Sequence, residues 1–161
     1  MTIAIRPAED SDQKYLVEWL LQPGVTDWFP LIDLREVEDA ARIWLSYNKL
    51  GAVLTATADG VPCGNAVLYI QPYKKLSHQC LFAIIVDENF RGQGVGTKLL
   101  KALADLAKNT FYIELLHLEV YEGNPAINLY QRLGFVEYGR HKRFLKANGR
   151  YWTKIMMQKR L

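Results

Sequence analysis

Hydrophobic positions near the N-terminus follow first a strand-like and then a helix-like spacing. Ile3 and Ile5 alternate with small or polar neighbours ahead of Arg6-Pro7, which predicts a short first strand. Two segments with apolar residues at three- and four-residue intervals follow, and this spacing predicts two amphipathic helices. Asp10 or Ser11 is the expected N-cap of the first helix. The expected buried faces are Tyr15, Leu16, Trp19 and Leu20 in the first helix, and Val37, Ala40, Ala41, Trp44 and Leu45 in the second.

The middle of the chain is predicted to form three strands and a third helix. Apolar runs cover residues 52–58 and 61–71, and Asp59-Gly60 between them is a strong hairpin signal. Residues 80–86 form a third apolar run, after which a glycine-rich loop leads into a helix. The apolar stripe of that helix is Leu99, Leu100, Leu103, Leu106 and Ala107.

The last third continues with a strand at residues 113–121 and a short helix at 124–134. Asn124 is its expected N-cap, Pro125 occupies the first helical position, and Gly134 ends it. Two closing strands flank Asn148-Gly149. The order β-α-α-β-β-β-α-β-α-β-β indicates an α/β chain with a mixed sheet covered by helices. Because no repeat, low-complexity tract or linker interrupts it, one domain over residues 1–161 is expected.

Composition and charge narrow the class of protein. Half of the 161 residues are hydrophobic and 23% are charged, which is typical of a globular domain. The net charge of +3 is too small to indicate a nucleic-acid partner without a clustered basic face. The N-terminus does not resemble a signal peptide, and no uncharged run approaches the ~20 residues that a membrane span needs. A cytoplasmic protein without membrane association is therefore expected.

The two cysteines are expected to be buried free thiols. Cys63 and Cys80 show no CxxC spacing, so they indicate neither a disulfide framework nor a zinc site. No metal site is predicted elsewhere. Neither cysteine lies in a motif that would make it a covalent nucleophile.

The stretch VDENFRGQGVGTKLL (residues 86–100) places three glycines within five positions between a strand and a helix. A Walker A loop requires Gly-Lys-Ser/Thr, and a dinucleotide loop requires a third glycine where Thr97 stands, so both fail. Free N–H groups at a helix N-terminus nevertheless bind anions, and glycines allow a pyrophosphate to approach them closely. Arg91 can add a charge-assisted contact. A simple strand-to-helix turn with a glycine cap is the alternative that the loop alone leaves open.

Two motifs together carry a family resemblance. Arg91-x-x-Gly94-x-Gly96 after an apolar strand resembles the acyl-CoA loop of the GNAT superfamily of N-acetyltransferases. LEVYEGNPAINLYQRLGF (residues 118–135) is similar to the second signature of that superfamily, and Ile5-Arg6-Pro7-Ala8 is also typical. The resemblance covers nearly the whole chain. It implies a mostly antiparallel, twisted sheet that contains one splayed parallel strand pair and is flanked by about four helices.

The resemblance also implies a site for acetyl-CoA as cosubstrate, without a metal. The backbone of the splayed strand would bind the pantetheine arm at Ile84, Ile85 and Val86, with the Val86 N–H as the expected oxyanion donor. Asn124 would contact the pantetheine or the phosphate region, and Asn128 is a further candidate. The loop that would hold the pyrophosphate consists of Arg91, Gly92, Gln93, Gly94, Val95, Gly96 and Thr97.

For catalysis the resemblance implies Tyr130 as general acid and Glu119 as base. A phenol of pKa ~10 is protonated at neutral pH and can donate to a departing thiolate. Strand alternation places Leu115, His117, Glu119 and Tyr121 on one face. Glu119 would accept the amine proton directly or through water, or would only form a salt bridge. A structural role is preferred for His117.

The acceptor site is expected in the segment between the first two helices and in the last hairpin. Asp27, Trp28, Phe29 and Tyr121 are the candidate contacts for an amine of a small molecule or a peptide or protein. The basic segment 140–152 is expected to be a solvated face. A CoA-binding module without catalysis and a ribosome- or nucleic-acid-associated protein are the alternative functions. The family resemblance also makes a homodimer possible.

Overall fold

Seven strands and four α-helices make up the chain in a computed structural model that describes residues 1–161. The strands are β1 Ile3–Pro7, β2 Val53–Ala58, β3 Val61–Tyr69, β4 Gln79–Val86, β5 Leu115–Tyr121, β6 Val136–Ala147 and β7 Arg150–Arg160. The helices are α1 Gln13–Leu20, α2 Leu34–Ser46, α3 Val95–Asn109 and α4 Ala126–Arg132. The predicted order of elements is confirmed.

All strands belong to one sheet with the order β1-β2-β3-β4-β5-β7-β6. Every neighbouring pair is antiparallel except β4 and β5. The hairpin predicted at Asp59-Gly60 joins β2 to β3, and the one at Asn148-Gly149 joins β6 to β7. The parallel pair arises because α3 lies between its strands and returns the chain to the same end of the sheet. The mixed sheet with a splayed parallel pair is therefore confirmed.

The helices cover both faces of the sheet. Leu99, Leu100 and Leu103 of α3 belong to a core cluster that also contains Phe82 and Leu116 from the sheet. Leu16 and Trp19 of α1 and Trp44 of α2 form a second cluster with Val67 and Ile85. Alternating residues of the same strand thus enter different clusters, as a pleated sheet buried on both faces requires. The predicted apolar stripes of all three long helices face these clusters. No helix is long and apolar enough to cross a membrane.

The start of the first helix differs from the prediction. Residues Asp10–Asp12 form a 3₁₀ turn ahead of α1, and neither Asp10 nor Ser11 caps the helix through its side chain. The Asp12 carboxylate instead accepts a hydrogen bond from the Glu9 N–H at 2.9 Å and two from Arg6. A capping box between Glu9 and Asp12, whose carboxylate also pairs with Arg6, therefore marks where this turn begins. The prediction of Asp10 or Ser11 as N-cap is wrong.

Candidate active site

The strands β4 and β5 pair at only three positions before they separate. The paired positions are Gln79 with Leu115, Cys80 with Leu116 and Leu81 with His117. Beyond them β4 stays paired with β3 as far as Val86, and β5 stays paired with β7 as far as Tyr121. Both strands are thus held straight by their outer neighbours while a gap opens between them. Backbone groups that face this gap have no strand partner.

On the β4 side, the free backbone groups belong to Ile84 and Val86. The Asp87 N–H donates to the Cys63 carbonyl at 2.9 Å, so the backbone of Asp87 faces β3. Because backbone direction alternates along an antiparallel strand, Ile85 also faces β3. The backbone of Ile84 and Val86 therefore faces the gap, and that of Ile85 does not.

On the β5 side, the backbone of Glu119 and Tyr121 faces the gap. The Glu122 N–H donates to the Thr153 carbonyl of β7 at 3.0 Å, so the backbone of Glu122 faces β7. Because the direction alternates along the strand, the backbone of the residues one and three positions earlier faces away from β7. The side chains of Leu116, Leu118 and Val120 lie in the core cluster beneath α3 and α4. His117, Glu119 and Tyr121 point to the opposite face of the sheet, as the alternation predicts.

A cavity of about 840 Å³ occupies the gap and continues to the N-terminal ends of α3 and α4. It is large enough for a ligand well beyond an amino acid in size. The predicted site residues that line it are Trp28, Phe29, Ile84, Ile85, Val86, Arg91, Gly92, Gly94, Val95, Gly96, Thr97, Glu119, Asn124 and Tyr130. The predicted residues that do not line it are Asp27, Gln93, Tyr121 and Asn128.

The glycine-rich loop contains a run of free amides, and every residue of this run except Gln93 lines the cavity. The seven N–H groups from Arg91 to Thr97 donate to no acceptor in the chain, and Lys98 is the first to bond, to the Gly94 carbonyl at 3.1 Å. Gly92 and Gly94 have φ values of 72° and 83°, a conformation that glycine adopts without strain. The position that a Cβ would take at either glycine has no atom within 4 Å, so no neighbour blocks approach to this backbone.

Gly96 serves helix packing. A Cβ at this position would lie 3.2 Å from the Leu129 side chain of α4. The missing side chain therefore lets α4 come close to the first turn of α3.

Asn124 lies on the other wall of the cavity, at the start of α4. Its Oδ1 accepts a hydrogen bond from the Ala126 N–H at 2.9 Å. Pro125 between them already has helical backbone angles, with φ −59° and ψ −22°. Asn124 therefore caps the first turn of α4 through its side chain, as predicted.

Tyr130 reaches the cavity from α4 and is 8% exposed. Its ring packs edge-on against Phe82 and Phe135, with centroids 6.1 and 6.2 Å away. Burial raises the pKa of Tyr130 to about 12. Its hydroxyl forms no hydrogen bond within the chain. Every fully buried side-chain oxygen of the protein has a hydrogen-bond partner, so this hydroxyl is not fully buried. The hydroxyl is therefore reached from the cavity, and it carries its proton there at neutral pH.

Glu119 lines the cavity from β5 and forms an ion pair with Lys154 of β7. Its neighbour His117 bonds through Nε2 to Gln79 Oε1, and burial lowers the pKa of His117 against the opposing effect of Glu119. His117 is thus a half-buried histidine with a partner in the chain. Among the cavity-lining side chains, Glu119 is the acidic one, and Arg91 and Arg132 are the cationic ones.

The aromatic loop, defined as residues 22–30 between α1 and α2, lines part of the cavity through Trp28 and Phe29. Trp28 packs edge-on against Trp152 of β7, with ring centroids 5.8 Å apart. Gln22 ties this loop to the end of β4, because it donates to Asp87 Oδ1 at 2.8 Å and accepts from the Glu88 N–H at 3.0 Å. Trp28 and Phe29, two of the predicted acceptor contacts, both line the cavity.

The other two acceptor candidates do not line the cavity, since Asp27 is exposed on the surface and Tyr121 is buried. The Tyr121 ring lies 6.2 Å from that of Phe144, and burial, with a smaller effect of Glu119, raises the pKa of Tyr121 to about 12. The Tyr121 side chain therefore packs against Phe144 of β6 and does not line the cavity.

Several further residues line the cavity and were not predicted from the sequence, among them Arg132 and Phe90. Arg132 of α4 adds a second cation, and Phe90 adds an apolar wall next to the glycine loop. Arg132 directly precedes the Leu-Gly-Phe of the second signature, so its place in that motif was the available signal. Nothing in the spacing of Phe90 distinguished it from a core residue.

Comparison with known protein families agrees with the resemblance seen in the sequence. Residues 14–135 match the Acetyltransferase (GNAT) family, and this range is most of the chain. The protein belongs to the GNAT family of acetyltransferases.

Individual relatives extend this result. The L-amino acid N-acetyltransferase AaaT of Escherichia coli (strain K12) is 30% identical over 99 residues, 61% of each chain, so the match spans less than two thirds of that relative. Among solved structures, ribosomal-protein-alanine N-acetyltransferase from Brucella melitensis has a TM-score of 0.81 at 28% identity, over 98% of this chain and 99% of that one. Salmonella typhimurium yncA with its cofactor acetyl-CoA has a TM-score of 0.82 at 22% identity, over 99% and 94%.

Proposed function

We propose that the protein is an acetyl-CoA-dependent N-acetyltransferase that moves the acetyl group directly to a primary amine of a small molecule, amino acid, peptide or protein. The observation that carries this proposal is the run of seven free amides, Arg91 to Thr97, in a loop that lines a cavity between splayed strands. The names of the relatives support it, since AaaT is named for L-amino acids and yncA was solved with acetyl-CoA.

The residues of the cavity fit acetyl-CoA in two chemically different regions. The amides of Arg91 to Thr97 and the positive end of the α3 dipole suit the pyrophosphate. The gap-facing backbone of Ile84 and Val86 suits the amide groups of the pantetheine arm, which would pair with it like an added strand. The Arg91 Nε already donates to the Val86 carbonyl at 3.2 Å, so the loop and the strand end are linked.

In the proposed reaction the amine nitrogen attacks the thioester carbonyl carbon. The C–N bond forms, the C–S bond breaks, and a backbone N–H of the splayed strand β4 stabilises the oxyanion in between. The amine loses one proton to Glu119 or to a water beside it. Tyr130 gives its proton to the departing CoA sulfur, and solvent restores it. An alkylamine of pKa ~10.4 is only about 0.04% neutral at pH 7, so such an acceptor depends most on the base.

The test is CoA thiol release from acetyl-CoA against amino acids, polyamines, aminoglycosides and peptides with free α- or ε-amines, with products identified by mass spectrometry. Acetyl-CoA affinity is measured in parallel by calorimetry. Thiol release with an acetylated product supports the proposal and identifies the acceptor class. Binding of acetyl-CoA without product from any acceptor would favour a non-catalytic CoA module, and absence of binding would overturn the site itself.

A further inference from the structure

The C-terminal part of the chain carries a strong excess of positive charge. Residues 138–161 contain eight of the 20 Lys and Arg residues and none of the 17 Asp and Glu residues. The preceding 137 residues hold twelve cations and 17 acids, a net charge of −5. The net charge of +3 is therefore the sum of a strongly positive C-terminal region and a negative remainder of the chain.

Most of these cations lie on one ribbon, the basic hairpin, defined as residues 140–154 of β6, β7 and their turn. Two of its cations have acidic partners: Arg140 pairs with Glu122 and Glu137, and Lys154 pairs with Glu119. The other four are exposed and have no acidic partner within salt-bridge distance: Lys142, Arg143, Lys146 and Arg150. Their charge is available to a second molecule.

Aromatic rings of the hairpin hold several cations in place. The Arg143 guanidinium lies 4.3 Å from the centre of the Tyr151 ring, and Arg150 lies 4.5 Å from that of Trp152. Cation–π contact restrains these side chains, so a partner that binds them loses less conformational freedom. The same contacts cover ring faces that nucleic-acid bases would need for stacking. The arrangement therefore favours carboxylates over RNA.

The basic hairpin is continuous with the acceptor end of the cavity. Trp152 packs against Trp28, which lines the cavity, and Lys154 pairs with Glu119, which also lines it. An anion bound on the hairpin thus lies beside the point where an acceptor amine would enter. A molecule that uses both places must carry the amine and the negative charges together.

We propose that the acceptor is the free amine of an acidic peptide or protein segment, whose carboxylates dock on the basic hairpin. This inference rests on the proposed function, because only an amine acceptor needs to reach the cavity. Glu119 is already paired with Lys154, so the cavity offers little free negative charge to a polyamine.

The experiment compares three peptides with the same N-terminal residue and length, followed by acidic, neutral or basic residues. Wild-type kcat/KM is expected to be roughly 10-fold higher for the acidic than for the neutral peptide, and the difference should shrink between about 50 and 300 mM salt. Binding of the same peptides, fluorescently labelled, is measured by anisotropy with CoA present. That readout tests the docking surface even if no acetylation occurs.

The variant pair Lys142→Glu with Lys146→Glu should abolish the acidic preference in both readouts. The matched control, Lys74→Glu with Lys75→Glu, makes the same charge change on an exposed turn before β4 and should preserve it. Neither lysine of the first pair has an acidic partner to lose, and the contact that is lost is that of Lys146 with the Tyr151 ring, at 5.4 Å. For the neutral peptide, kcat/KM should stay within about two-fold in the Lys74→Glu with Lys75→Glu control.

Equal wild-type binding and turnover of the three peptides would overturn the inference, as would equal effects of the two variant pairs. Tighter binding of a single-stranded RNA oligonucleotide than of the acidic peptide would also overturn it and identify the hairpin as an RNA surface. Acetylation without acidic preference would leave the proposed function standing. Acidic preference in binding, with no acetylation of any acceptor, would leave the docking surface and remove the proposed function.

Discussion

At the scale of single residues, burial keeps Tyr130 in the form that a general acid needs. A phenol whose pKa is raised to about 12 stays protonated throughout the neutral and mildly alkaline range. Tyr130→Phe should lower kcat about 100-fold, the usual size of a general-acid contribution, and leave acetyl-CoA affinity nearly unchanged. Rapid-quench turnover and calorimetry measure the two quantities. An equal loss of affinity would make Tyr130 a packing or binding residue.

Glu119 has two possible roles, and substitutions of neighbouring charges separate them. Glu119→Gln should lower kcat/KM about 100-fold for an alkylamine acceptor, most strongly at low pH where neutral amine is scarce. The control Glu122→Gln removes a carboxylate that pairs with Arg140 but does not line the cavity, and it should have little effect. Lys154→Met breaks the Glu119 ion pair and keeps the carboxylate. If Lys154→Met costs as much activity as Glu119→Gln, the role of Glu119 is structural.

At the scale of elements, the loop before α3 joins glycine conformation to ligand binding. Gly94→Val should abolish measurable acetyl-CoA binding, because the new side chain would stand between the free amides and the pyrophosphate. A β-branched residue at φ 83° also strains the backbone by about 1–2 kcal/mol, so stability should fall as well.

A second glycine separates these two effects. Gly51→Val places the same side chain at φ 74° where a Cβ has nothing within 4 Å, far along the chain from the loop. Thermal unfolding should show similar losses of stability for both variants, and calorimetry should show lost acetyl-CoA binding for Gly94→Val alone. Unchanged affinity in a folded Gly94→Val variant would rule out this loop as the pyrophosphate site.

At the scale of the whole molecule, a buried polar network joins the sheet to α1 and α2. Asp12 accepts hydrogen bonds from Arg6 and from Thr55, the latter at 2.7 Å. Asn65 donates to Thr55 at 3.0 Å and accepts from the Trp44 indole N–H at 2.7 Å. The network contacts β1, β2 and β3, the start of α1 and α2, and the aromatic loop lies between these two helices. Its loss should therefore loosen that side of the protein as a unit.

Asp12→Asn should lower the free energy of unfolding by about 1–3 kcal/mol, because Arg6 and Thr55 lose a charged acceptor in a buried place. Asp39→Asn is the matched control, since Asp39 pairs with Arg42 on the exposed surface of α2 and should contribute less than about 1 kcal/mol. Urea unfolding at neutral pH measures both. Equal effects of the two substitutions would contradict a structural role for the network.

The same network predicts how stability changes with pH. Burial raises the pKa of Asp12, but hydrogen bonds from Arg6, Glu9 and Thr55 outweigh it and hold the pKa below its usual 3.8. A lowered carboxyl pKa contributes stability that is complete above the unfolded-state value and is lost as pH falls towards the folded-state value. The free energies of unfolding of the wild type and of Asp12→Asn, measured in urea, should therefore approach each other below about pH 4. If the difference between the two free energies of unfolding stayed constant down to about pH 2, the effect of Asp12→Asn would come from altered packing and not from the lost charge.

The regular elements were predictable because their signals are local. Alternation, helical stripes and the Asp59-Gly60 and Asn148-Gly149 turns depend on neighbours within a few residues, and all appear in the structure. The N-cap of the first helix was assigned to the wrong residue, because the local capping box that Glu9 forms with Asp12 was not considered. Arg6 and Thr55 hold the same carboxylate from 6 and 43 residues away, which the local pattern does not show. Two predicted acceptor residues likewise lie outside the cavity, since Asp27 and Tyr121 were assigned from chain position and residue type.

By itself the sequence determined the order of elements, the faces they bury, the glycine loop and the position of Tyr130 in a signature motif. These follow from spacing along the chain, which local backbone geometry converts directly into structure. Only the tertiary structure decided that β4 and β5 separate after three pairs, that Glu119 meets Lys154, and that the basic hairpin adjoins Trp28. Each of these is a contact between residues distant in sequence, set by how the outer strands and the aromatic loop pack.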